Sequence, residues 1–214
     1  MNQVDHRHTR RDYTRAELRR SDLTPEPAQL LARWLAEARE AGNPDPTAMT
    51  LATADADGQP SARIVLFKHF EGEGLCWYTD SRSHKGRDLA ENPRAALLFY
   101  WPETERQIRV EGSVSALPAE LADDYFSQRP GGSRLAAAAS LQSQPVDDRA
   151  TLEQRVKDLE QQYPDGNVPR DPAWIGYRLA PELFEFWQGR ASRLHDRFTY
   201  HHNGEHWEIT RLMP

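Results

Sequence analysis

The stretch AMTLATADADGQPSARIVLFKHFEGEGLCWYTD, residues 48–80, alternates three apolar runs with two turn signals. AMTLATA and SARIVLFKHF are separated by DADG at 55–58, and EGEG at 71–74 leads into LCWYTD. Such runs, bounded by Asp and Gly clusters, read as strands joined by tight turns. Upstream, Thr24, Pro25 and Pro27 signal a helix start. Leu30, Leu31, Trp34, Leu35 and Ala38 then recur at helical spacing, Gly42 ends the run, and NPDPT at 43–47 breaks the chain. Downstream, a short helix is expected over 83–91, followed by strands at AALLFYW and RQIRVEGSVSAL. Further helices are expected over 118–128, 134–141 and 151–163, the last with Leu152, Val156, Leu159 and Tyr163 on one side. The tail returns to strands at WIGYRLA, LFEFWQ, SRLHDRFTYHH and EHWEITRL, with a hairpin turn at Asn203-Gly204. Many short strands with added helices predict an α+β fold, a small and mainly antiparallel barrel with peripheral helices.

Composition narrows the function classes. The chain has 214 residues, 38% hydrophobic and 28% charged, with 6 Trp, enough for a sizeable core. Its net charge of −6 argues against a dedicated nucleic-acid binder. The single cysteine, Cys76, permits no internal disulfide and is read as a buried apolar residue. No apolar run approaches the roughly 20 residues that span a bilayer, and the N-terminus lacks an apolar signal core. A cytoplasmic protein without a membrane or nucleic-acid partner is the expectation. Residues 1–20 form an Arg-rich segment, expected as a flexible arm ahead of a single domain over 21–214.

Several stretches are suited to anions. Arg63 and Lys68 flank IVLF. Five apart in a regular strand, they would lie on opposite faces and offer a cation to two places. In YFSQRPGGSRLAAAAS, 125–140, Ser133 can cap an Ala-rich helix. Beside Arg129, that helix start is either an ordinary cap or a phosphate site. DSRSHKGRDL, 80–89, places Ser81, Arg82, Ser83, His84 and Lys85 at another helix start, again a solvated cap or an anion cradle. In FWQGRASRLHDRF, 186–198, a strand would point Arg193, His195 and Arg197 to one face, towards water or an anion. No dinucleotide or Walker A signature is present. His201, His202 and His206 lack ligand-spaced support, so no metal site is expected.

RIVLFK (63–68), WYT (77–79), ERQIRVEG (105–112), YFSQRP (125–130), SLQSQ (140–144), EFWQG (185–189) and RLHDRF (193–198) occur in this order, before the ending EHWEITRLMP. Together they resemble the pyridoxine/pyridoxamine 5′-phosphate oxidase family over nearly the whole chain from about Arg10. The resemblance implies a split β-barrel homodimer with FMN at the dimer interface. It implies oxidation of pyridoxamine 5′-phosphate and pyridoxine 5′-phosphate to pyridoxal 5′-phosphate, with hydride passing to flavin. Dioxygen then reoxidises the flavin to give hydrogen peroxide, and the amine substrate also yields ammonia. The implied FMN set is Arg63, Ile64, Val65, Leu66, Phe67, Lys68, Tyr78, Thr79, His84, Lys85, Gln107, Gln142, Ser143, Trp187 and Arg197. The implied substrate set is Lys68, Tyr125, Arg129 and Ser133 around the phosphate, with Arg193 and His195 as the catalytic pair at the pyridine ring. Arg10 and Tyr13 match an arm that closes over the substrate.

The sequence departs from that pattern at His84, where the family carries Arg. A histidine contact is weaker and pH-dependent, so FMN phosphate binding is expected to be looser or more pH-sensitive. Arg190 is also additional. The alternatives are another split-barrel flavin oxidoreductase and a non-enzymatic binder of FMN or pyridoxal phosphate. The substrate-side motifs RLHDR and YFSQRP speak against the first, and the intact Arg193/His195 pair speaks against the second.

Overall fold

The computed structural model describes residues 5, 7, 8 and 12–214. Arg10 of the expected arm lies outside the described residues. The chain forms two compact units, one of residues 48–97 and 111–181, the other of residues up to Thr47 with 98–110 and 182–214.

The first unit opens with β1 (Ala48–Ala54) and β2 (Pro60–Leu66), an antiparallel pair with Leu51 opposite Arg63. Alternation buries Met49, Leu51 and Thr53 on one face of β1. The expected strand 61–70 is instead broken at Phe67–Lys68. β3 (His69–Glu71) leaves β1 and pairs with β4 (Gly74–Asp80), and the Lys68 N–H donates to the Cys76 carbonyl. The change of partner is the physical reason for the break.

α2 (His84–Glu91) starts at Ser83, whose hydroxyl accepts the Gly86 N–H. α3 (Ala119–Ser127) and α4 (Gly131–Ala139) each follow a proline at the cap position. Ser133 therefore lies within α4 rather than capping it, because the cap position falls at Pro130, three residues earlier. α5 (Arg149–Gln162) is capped by the Asp148 carboxylate on the Thr151 N–H. It buries no residue fully, although Leu159 and Tyr163 pack on the cluster of Phe126, Leu135, Val168 and Trp174.

The second unit contains α1 (Pro27–Glu40), with proline at its first position and Leu30, Leu31, Trp34 and Ala38 buried. Trp34 meets Phe186 edge-to-face at 5.3 Å, and the Tyr200 hydroxyl donates to the Thr24 carbonyl. Burying each of these large side chains contributes about 2 kcal/mol. β8 (Asp196–His202) and β9 (Trp207–Leu212) form the terminal hairpin through Gly204, at φ +102°.

β5 (Arg94–Trp101), β6 (Arg106–Ala116) and β7 (Trp174–Gln188) each contribute residues to both units. WIGYRLA and LFEFWQ are one strand, since β7 runs straight through Pro181. It pairs first with β4 and then with β8, both antiparallel. Hydrogen bonding joins the strands in the order β2-β1-β5-β6-β7-β4-β3, with β8 on β7 and β9 on β8.

The expected strand 192–202 begins late. Residues Ala191–Arg193 form a short 3-10 turn in which Ser192 (φ 55°) and Arg193 (φ 64°) are left-handed. Arg193, His195 and Arg197 therefore do not share a strand face, because β8 begins only at Asp196. Among the described residues, no helix is long and apolar enough to cross a membrane.

Candidate active site

A cavity of about 680 Å³ opens in the first unit. β2 supplies Arg63, Ile64, Val65 and Leu66, and the chain break after it supplies Lys68. Arg63 and Lys68, expected on opposite faces, thus line one cavity. β4 supplies Tyr78 and Thr79, α2 supplies Lys85, and α3 with its C-terminal end supplies Tyr125 and Arg129. Ser133 comes from the face of α4 that also carries Ala136 and Ala137, and Gln142 comes from the loop beyond.

The cations here bond to neutral oxygens. Lys85 Nζ donates to Thr79 Oγ1 and Ser83 Oγ, both at 3.2 Å, and to Gln142 Oε1 at 2.5 Å. Burial, then the Arg63 charge, pushes the Lys85 amine down to about 8, against the pull of Asp80 and Asp88. Arg63 donates to the Leu51 carbonyl, Thr53 Oγ1 and Ser61 Oγ, with Asp88 Oδ2 at 3.7 Å. Burial also lowers the Arg63 pKa. Arg129 donates to the Ser133 carbonyl at 3.0 Å and lies 4.9 Å over the Trp174 ring. Its pKa is likewise lowered by burial. Arg82, at the same helix start as Lys85, is occupied by Asp80 and Asp171.

Aromatic packing makes the wall. Tyr78 stacks on Tyr125 at 4.2 Å and on Trp174 at 5.4 Å. Its hydroxyl hydrogen-bonds His69 Nε2 at 2.9 Å, and burial raises its pKa to about 12.

The remaining expected residues stand elsewhere. Phe67 is buried against Phe70 and does not line the cavity. His84 is exposed, with Nε2 3.4 Å from Asp88 Oδ1. Ser143 follows Gln142 as an exposed left-handed residue. Gln107, Trp187, Arg193, His195, Arg197 and Tyr13 belong to the second unit.

Three of those make an aromatic cluster. The Trp187 and His195 rings are 4.6 Å apart, and Tyr13 meets them edge-on at 5.6 and 5.7 Å. Gly189 makes this possible, because a Cβ there would sit 2.7 Å from Tyr13 Cγ. Burial, then Arg193 and Arg197, lowers the His195 pKa, and Asp196 opposes them. Arg197 Nε donates to Glu185 Oε1 at 2.7 Å and its Nη1 to the Met213 carbonyl. Arg109 takes the other oxygen of Glu185.

Sequence reasoning missed the supports. Thr53, Ser61, Asp88 and Ser83 hold Arg63 and Lys85, while Trp174 and His69 hold Arg129 and Tyr78. Only Asp88, one turn after His84 on a predicted helix, left a readable signal.

The architecture is that of the FMN-binding split barrels. A solved FMN-binding protein related to pyridoxamine 5′-phosphate oxidase, from Nostoc punctiforme, shares it at TM-score 0.70 and 20% identity, over 90% of this chain and 99% of its own. PhzG from Burkholderia lata, solved in complex with tetrahydrophenazine-1-carboxylic acid, is similar at TM-score 0.86 and 37% identity, over 91% of this chain and 95% of that one. A pyridoxine/pyridoxamine 5′-phosphate oxidase from a Cyanothece species is 50% identical over 96% of both chains. Residues 35–163 match the pyridoxamine 5′-phosphate oxidase family, and residues 174–214 match the pyridoxine 5′-phosphate oxidase C-terminal dimerisation region. The chain belongs to the pyridoxine/pyridoxamine 5′-phosphate oxidase family, whose cofactor is FMN. The cavity fits that cofactor chemically. Lys85, buried, and Arg63, partly buried with Asp88 3.7 Å away, direct their hydrogen bonds to neutral groups and form a site for a phosphate dianion.

Proposed function

We propose that this chain is an FMN-dependent oxidase that converts pyridoxamine 5′-phosphate and pyridoxine 5′-phosphate to pyridoxal 5′-phosphate, within vitamin B6 metabolism in the cytoplasm. One observation carries the reading. Four cations, Arg63, Lys68, Lys85 and Arg129, line one cavity, enough for two phosphate groups. Phosphates on both cofactor and substrate account for that excess of positive charge.

Arg63 and Lys85, with Thr79 and Gln142, would hold the FMN phosphate. Lys68, Tyr125, Arg129 and Ser133 would take the substrate phosphate. Arg129 is already fixed on Trp174, so little side-chain freedom is lost on binding. Ile64, Val65, Leu66 and Tyr78 would line the cofactor, with Phe67, His84, Gln107, Ser143, Trp187 and Arg197 completing the proposed set. Arg193 and His195 would orient the pyridine ring, and Tyr13 with Arg10 would cover it from the arm. FMN, when bound, would supply the hydride acceptor and the redox link to dioxygen, whose product would be hydrogen peroxide. The imine from the amine substrate then hydrolyses to aldehyde and ammonia. The match of residues 174–214 to a dimerisation region supports a homodimer. Residues 1–20 act as the arm, and 21–214 as one functional domain.

The likeness to PhzG favours a second reading, a related oxidase of a carboxylate without phosphate. Anaerobic mixing of the FMN-loaded protein with pyridoxamine 5′-phosphate separates the two. Bleaching of the flavin band, reversed by air as pyridoxal 5′-phosphate appears, is expected. No bleaching with either phosphorylated substrate would remove the proposal.

A further inference from the structure

The two nitrogens of the His195 ring are not equivalent. The main-chain N–H of Arg190 donates to His195 Nδ1 at 3.1 Å. An amide N–H can only donate, so Nδ1 must present its lone pair. The single proton of the neutral ring then sits on Nε2.

The turn that creates this contact is costly. The end of β7 is fixed where the Gly189 N–H donates to the Glu105 carbonyl at 2.8 Å. Arg190 is extended, Ser192 and Arg193 are left-handed, and the Leu194 N–H returns to the Ala191 carbonyl. Two consecutive left-handed residues without glycine cost free energy, and such strain persists where the surroundings impose it. Here they bring residue 195 back beside residue 190. The Arg190 guanidinium is anchored as well, 3.0 Å from Glu17 and 3.6 Å from Asp196. The Trp187 ring, tilted by 45° at 4.6 Å, and the Tyr13 ring, T-shaped at 5.7 Å, pack against the imidazole.

We propose that the 189–195 turn holds His195 as the Nε2-protonated neutral tautomer, so that Nε2 is kept as a hydrogen-bond donor for a bound ligand. Arg190 and Ser192 are then positioning residues. The donor role rests on the substrate proposed above, whereas the tautomer does not.

The charged and titratable groups facing the ring agree. Arg193 and Arg197 from its own segment disfavour a second proton, and Asp196 favours it. Tyr13 faces the ring from the arm, and Glu17 acts there through Arg190. A second proton would place Nδ1–H against the Arg190 N–H, so acid should open the turn and weaken substrate binding together.

The test is nitrogen-15 NMR of the FMN-loaded protein carrying labelled histidine, with His195 assigned by the signal lost in His195→Gln. The expected spectrum has Nδ1 in the unprotonated range and Nε2 in the protonated range. Ser192→Gly should keep that pattern. Ser192→Val, whose branched side chain disfavours the left-handed region, should mix the two tautomers. Added pyridoxal 5′-phosphate should move the Nε2–H signal. A protonated Nδ1 in the wild-type protein would overturn the tautomer. A correct tautomer whose Nε2 ignores bound pyridoxal 5′-phosphate would overturn the donor role. Failure of pyridoxal 5′-phosphate to bind at all, by equilibrium dialysis, would count against the proposed substrate and leave the tautomer standing.

Discussion

The cations lining the cavity of the first unit and those around Trp187 and His195 in the second are held in different ways. In the first, Lys85, Arg63 and Arg129 are desolvated and hydrogen-bond to hydroxyl, amide and main-chain oxygens. In the second, carboxylates pair four of the guanidiniums. Glu185 takes Arg109 and Arg197, Glu17 and Asp196 take Arg190, and Glu37 takes Arg106. A buried cation without a counter-ion weakens the fold and attracts an anion. A paired one adds shape rather than affinity. The first unit therefore holds capacity for phosphate, and the second holds fixed geometry around Trp187 and His195.

The largest expected effect breaks this contrast from the second side. Glu185→Ala leaves Arg109 and Arg197 without their shared carboxylate and should cost about 3 kcal/mol. Urea denaturation reads it, and an unchanged midpoint would mean that the pairing is unimportant. Lys85→Met should act the other way. FMN affinity should fall by about 2 kcal/mol, roughly thirtyfold, while the apoprotein becomes no less stable. Loss of both stability and affinity would show that Lys85 is a structural residue.

Arg129→Ala should raise KM for pyridoxamine 5′-phosphate about tenfold with little change in kcat, since phosphate binding is the same in ground and transition states. A KM that stays put would take Arg129 out of the phosphate site.

The pH dependence follows from Lys85, lowered in the fold to about 8 from 10.5. Between these values the unfolded chain binds more protons than the folded one. The stability contribution is full above 10.5 and is lost as pH falls through 8. A bound phosphate pulls the proton back, so FMN binding above pH 8 should take up protons and weaken as pH rises. Calorimetry in two buffers of different ionisation enthalpy measures that uptake, and none at pH 9 would contradict it.

The smallest effect is Ser192→Gly, which should gain about 1 kcal/mol by relieving one left-handed residue. A thermal melt checks it.

The sheet and helices were legible because their patterns are local. Met49, Leu51 and Thr53 alternate as a half-buried strand must, and Ser83 and Asp148 stand where helices begin. The errors came where a distant partner decides. Nothing within SARIVLFKHF announces that Phe67 leaves β1 for β4. Nothing in RASRLH requires Ser192 and Arg193 to be left-handed. WIGYRLA and LFEFWQ read as two strands, but pairing on both sides of Pro181 makes them one. The cations were readable as residue types and as a family resemblance. Their neutral partners, Thr53, Ser61 and Ser83, were not, because a serine shows no preference in sequence for one distant guanidinium or amine.

Cys76 has a chemical consequence for endurance. The proposed reaction releases an oxidant beside the polypeptide in every cycle. The chain's one thiol is fully buried, and burial pushes it up to about 11, so well under one part in a thousand is thiolate at neutral pH. Met49 is similarly enclosed, at 1% exposure, whereas Met213 is 87% exposed. Among the described residues, wear from the protein's own product should therefore begin as a sulfoxide at Met213, long before it reaches the sulfur in the core.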